Sequence, residues 1–99
     1  MYKYLIMLDI PHHQFFKMVE YAIKDLATKW TVALSNSLFV VSDKPHQEWV
    51  DFVSKQVERF GGKAFVIELK DHTCINGYAG QRCWNWLAEN FKTEDAPPT

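Results

Sequence analysis

A two-layer α+β sandwich with its elements in the order β-α-β-β-α-β is the fold that this 99-residue sequence predicts. Three observations predict it. Short β-rich apolar runs recur at residues 2–8, 30–34, 38–41 and 63–69. Between the first and second runs, and again between the third and fourth, the apolar period changes to steps of three and four. Only a short polar stretch separates the second run from the third. The length suits one domain, and folding a chain of this size removes roughly 65% of its surface from water. Apolar residues make up 47% and aromatics 15%, a composition rich enough for a dense core, an aromatic interface, or both.

Each element follows from its residues. Residues 2–8 hold the unbroken apolar run Tyr4 to Leu8, which suits a strand buried on both faces in mid-sheet. Asp9 ends the strand. Pro11 stands at a first-turn position, so Asp9 or Ile10 is the expected helix cap. Phe15, Phe16, Val19, Ala22, Ile23 and Leu26 then repeat at helical spacing, opposite Lys17, Glu20, Lys24 and Asp25. Trp30 to Leu34 and Leu38 to Val41, split by Ser35, Asn36 and Ser37, read as a hairpin. Ser42 and Asp43 before Pro45 announce a second helix, whose stripe of Trp49, Phe52, Val53, Val57 and Phe60 is core. Gly61 and Gly62 stop that helix, and Lys63 to Leu69 is the fourth strand.

This order is the ferredoxin-like split βαβ arrangement. Right-handed crossovers put both helices on one face of a four-stranded antiparallel sheet, with the first and third strands central. The other face then needs a cover. After a loop over 71–80, residues 81–91 place Trp84, Leu87 and Phe91 in one helical row, with Cys83 alongside, which reads as a short third helix or an interface arm. Residues 1–91 thus form one domain with a C-terminal helical arm, and the polar, Pro-rich 92–99 are expected to be a disordered tail.

Charge excludes several classes of function. Eleven basic residues stand against twelve acidic ones, and neither half of the chain is a basic arm or an acidic tail. Nucleic acid remains a conceivable partner through a local patch, but the net charge gives it no support. The longest early apolar run is far short of a membrane span, and without a basic n-region or a small-residue cleavage site it does not read as a signal peptide. A cytoplasmic protein is therefore expected, with Cys74 and Cys83 as free thiols. No phosphate-loop, dinucleotide or hydrolase motif is present. His72, Cys74 and Cys83, with His46 or Asp71 as a fourth ligand, fall short of zinc spacing.

With the strand ending in Asp9, the hairpin carrying Trp30, Leu34, Ser35, Ser37 and Val40, the strand Lys63 to Lys70 and the late Trp86-Leu87 segment, the chain resembles a family over residues 2–91. It is similar to the small ferredoxin-like proteins of the CRISPR adaptation complex (the Cas-two type), their VapD-like relatives and the SinR-like group. The resemblance implies a homodimer joined through the sheet. It also implies a defence, toxin-antitoxin or mobile-element setting, in a prokaryote or phage, and in some members Mg²⁺- or Mn²⁺-dependent cleavage of RNA or DNA. The residue tied to that cleavage corresponds to Asp9. Family nucleases often carry Arg or Lys soon after it, whereas Ile10, Pro11, His12 and His13 follow here, and the first basic residue is Lys17.

Asp9 is the most informative polar residue. It reads either as a helix cap or as one of two carboxylates, one from each copy of a dimer, that hold Mg²⁺. His12 and His13 read as solvated, or as a general acid or base beside Asp9. Tyr2, Tyr4, Tyr78, Trp84 and Trp86 read as dimer anchors or as a base-stacking platform, and balanced charge favours the dimer. The expectation is a small dimeric interaction module, non-catalytic and without a cofactor, which takes a second copy and conceivably another protein as partner. The alternative is a divalent-metal-dependent nuclease or a nucleic-acid-binding relative of one.

Overall fold

The computed structural model describes residues 1–70, 77 and 79–91. Tyr78, His72, Cys74 and the expected tail over 92–99 lie outside the described residues. The strands are β1 (Tyr2–Asp9), β2 (Lys29–Leu34), β3 (Ser37–Ser42) and β4 (Lys63–Leu69), and the helices are α1 (His13–Leu26), α2 (His46–Glu58) and α3 (Gln81–Asn90). The strands form one antiparallel sheet in the order β2-β3-β1-β4. That is the expected ferredoxin-like α+β sandwich with a C-terminal helix, and its two long apolar runs are indeed its central strands. Among the described residues, no helix is long and apolar enough to cross a membrane.

Both crossover helices lie on one face. Val19 and Ile23 of α1 and Trp49, Val53 and Val57 of α2 pack on Tyr4, Ile6 and Leu8 of β1 and Leu38 and Val40 of β3. Alternate strand residues point to opposite faces, so Leu5, Phe39 and Val41 face the other way. There α3 covers them with Trp84, Leu87 and Phe91. The Nζ of Lys3 donates to the Phe91 carbonyl at 2.8 Å, fixing the end of α3 beside β1. Because β3 lies beneath a cover on both faces, all six of its residues are buried. Of the two readings of residues 81–91, the helix is the one formed, and it serves this chain's own second core.

Two helix starts differ from expectation. The cap of α1 is His12, whose carbonyl accepts from the amides of Phe15 and Phe16, both at 3.0 Å. Asp9 therefore does not cap the helix; it is still the last residue of the strand, three positions before the cap. The cap of α2 is Pro45. Ser42 acts one step earlier, its Oγ accepting from the Lys44 amide at 3.1 Å and shaping the turn into the helix.

The exit from α2 depends on two glycines for different reasons. Gly61 has φ +67°, the left-handed conformation that ends many helices. At Gly62 the constraint is space, because a Cβ would stand 2.9 Å from the Asp9 carbonyl oxygen and 2.9 Å from Cγ1 of Ile10. The turn into β4 thus rests directly on the end of β1. Gly62→Ala is expected to lower stability by about 1–3 kcal/mol, the usual cost of overpacking. A denaturant titration measures it, and an unchanged midpoint would show that the contact yields freely.

Candidate functional site

Two regions hold the residues that the sequence singled out. The first is a cleft of about 560 Å³ between α1 and the β2–β3 turn, where Asp9, His13, Lys17, Glu20, Lys24 and Asn36 stand among apolar residues such as Ile10 and Phe16. Asp9 reaches it as the last residue of β1, exposed and in register with Lys63. His13 opens α1, its ring stacked on Phe16 with centroids 6.5 Å apart. His12 does not line the cleft; its ring stands edge-on to Phe15 at 5.5 Å. The structure therefore brings Asp9 and His13 to one cleft and leaves His12 outside it.

The cations of this cleft are already engaged. Oε1 of Glu20 lies 3.2 Å from Nζ of Lys17 and 3.6 Å from Nζ of Lys24. Glu20 is buried, and a buried carboxylate needs such partners. Lys24 also stands 4.1 Å above the centroid of the Trp30 ring. One carboxylate faces two ammonium groups, and Asp9, on the same cleft, brings the local sum to neutrality. Among the described residues, no three His, Cys, Asp or Glu side chains come close enough together to hold a metal ion.

The second region is the set of aromatic residues. Tyr2 is exposed, with its ring stacked 6.2 Å from that of Tyr4. Tyr4 is buried on the helix side, and its hydroxyl donates to the Lys44 carbonyl at 2.6 Å. Burial pushes the Tyr4 pKa up to about 12, with Glu68, Tyr2 and Glu48 adding smaller contributions of the same sign. Tyr4 is thus a core residue of this chain rather than a surface anchor. Trp84 is buried against the sheet. Trp86 is half-buried, 5.3 Å from the Phe91 ring. Neither forms a free-standing arm.

The sequence reading did not single out Phe65 and Ile67. They lie on β4, which among the described residues sits at the sheet edge and pairs only with β1. Their side chains share the α3 face but lie outside the cluster that α3 builds there, so Phe65 is 72% and Ile67 42% exposed. Met7, in register with Phe65, is half-buried, and Asp9 and Lys63 close the end of the strip. The signal was present. In the run Lys63 to Leu69, counting alternate positions gives Ala64 and Val66 to the helix side and Phe65 and Ile67 to the other.

No family model and no curated protein matches this chain. Its fold is similar to that of a crystal structure of the hypothetical protein TT1823 from Thermus thermophilus. The TM-score is 0.55 at 11% sequence identity, over 80% of this chain and 94% of that one. At that identity the likeness concerns the fold alone.

Proposed function

We propose that this chain is a small, non-catalytic interaction module that works as a homodimer, joined through the part of the sheet that α3 leaves bare. The exposure of Phe65 carries the reading. A large aromatic side chain on an edge strand, beside Ile67 and Met7, is an apolar patch of the kind that marks an interface. The opposite edge, β2, also exposes Trp30, Val32 and Leu34, but none of them is as exposed as Phe65, and Lys24 stands over the Trp30 ring. The resemblance to dimeric ferredoxin-like proteins supports the same reading. So does the cleft, where Glu20 already engages Lys17 and Lys24. Sedimentation velocity across the micromolar range is expected to give twice the mass of the chain. A monomer at every concentration overturns the proposal.

The nuclease reading keeps one supporting observation. Asp9 lies at the end of the bare strip, so a two-fold contact there gives a divalent cation its opportunity to meet a carboxylate from each copy. The dimer reading expects no effect of Mg²⁺ or Mn²⁺ on the melting temperature, and no cleavage of labelled RNA or DNA that Asp9→Asn abolishes. Metal that binds the folded state raises the melting temperature by mass action. A rise that vanishes in Asp9→Asn would make the nuclease reading the leading one.

A further inference from the structure

A half-open cavity of about 240 Å³ lies between α3 and the sheet, at the end of β3 away from the Lys3–Phe91 contact. Leu5, Ala33, Phe39, Trp84 and Leu87 supply apolar walls, and none of the described residues that line it carries a charge. Two polar groups are among them. One is the Cys83 thiol, whose pKa is raised by burial so that it stays neutral. The other is the hydroxyl of Ser37, a residue 2% exposed, and that Oγ has no hydrogen-bond partner. A buried hydroxyl without a partner is costly, and the cost is recovered when something in the cavity bonds to it.

We propose that this cavity binds an uncharged, largely apolar small molecule, with a single hydroxyl or carbonyl group that bonds to Ser37. Size, wall chemistry and the orphaned hydroxyl agree on this class. An apolar cavity of about 150 Å³ takes up benzene, so this one has room for a substituted ring or a short branched chain. Among the described lining residues an anion finds no cation, and a cation no carboxylate. A hydrocarbon fits the walls and leaves Ser37 unsatisfied. The site does not rest on the dimer reading, because its walls belong to one copy.

The test uses the full chain with p-cresol and toluene, two probes of nearly equal size that differ by one hydroxyl. Amide shifts in a ¹H–¹⁵N spectrum are expected to move on α3 and around Ala33 and Phe39. The affinity for p-cresol should exceed that for toluene by about fivefold, the worth of one net hydrogen bond. In Ser37→Ala, p-cresol should fall to the toluene value while toluene is unaffected. Ala33→Leu, which fills the cavity and adds no charge, should abolish both. No shift at millimolar p-cresol, shifts away from α3, or a p-cresol preference that survives Ser37→Ala would each overturn the assignment. If Ala33→Leu fails to fold, the Ser37 comparison still decides.

Discussion

Trp49→Ala is expected to cost about 3–5 kcal/mol, as complete truncations of buried aromatic residues do. Trp49 is fully buried and holds Tyr4 on one side and Phe52 on the other, at centroid distances of 6.1 and 6.0 Å. A domain of this size is stable by only about 5–15 kcal/mol in total. Each kcal/mol lowers the melting temperature by about 4–8 °C at this length, so the variant should melt well over 10 °C lower, or not fold. Trp49→Phe is the informative companion. The indole Nε1 is buried with no acceptor, so phenylalanine loses volume but also removes an unsatisfied donor. Its cost should be less than half that of alanine. Equal losses in thermal melts would mean that the indole's extra ring, rather than aromatic filling as such, supports the core.

The second large effect is on assembly. If the proposed dimer forms through β4, Phe65→Lys combined with Ile67→Lys should leave the chain monomeric. Truncating a well-buried interface anchor costs at least about 2 kcal/mol, and a two-fold contact counts each substitution twice. For Phe65 alone that is about 4 kcal/mol, nearly a thousandfold in dissociation constant. The isolated chain should hardly notice, because exposed substitutions shift stability by about 0.5 kcal/mol or less. Sedimentation and a denaturant melt on the same samples check both halves. If dimerisation survives with stability unchanged, the contact lies elsewhere.

The element order could be read directly because both periods are carried by apolar residues that packing requires. Which way a side chain faces was harder. In the unbroken run Tyr4 to Leu8 the alternation is invisible, and Tyr4 looked available to a partner although it points into the helix-side core. The row Trp84, Leu87 and Phe91 showed an apolar stripe, but a stripe names no destination, and here it is the chain's own sheet. Asp9 looked like a cap because Pro11 follows so closely. The cap falls at His12, whose carbonyl accepts the first helical hydrogen bonds, and the end of β1 is held instead by the turn at Gly62. Asp9 and His13 in one cleft could be anticipated from their closeness in sequence. The Glu20 clamp on Lys17 and Lys24 could also be anticipated, since steps of three and four place those residues together on a helix. The Ser37 cavity could not, because it exists only once α3 has docked.

The central position of β1 also sets how the chain must fold. Its partners are distant in sequence, with Tyr2 opposite Ser42 and Lys3 opposite Leu69. The hairpin and the helices form from local contacts, yet neither apolar cluster closes until the first strand is threaded between the third and fourth. Closing such long loops costs entropy before any native burial repays it. Mixed α/β chains with such pairings fold more slowly than helical bundles, between those and the all-β folds. Damage to Ile6, at the middle of β1, should therefore slow folding. Damage to Leu87, on a helix that docks onto a finished sheet, should mainly quicken unfolding.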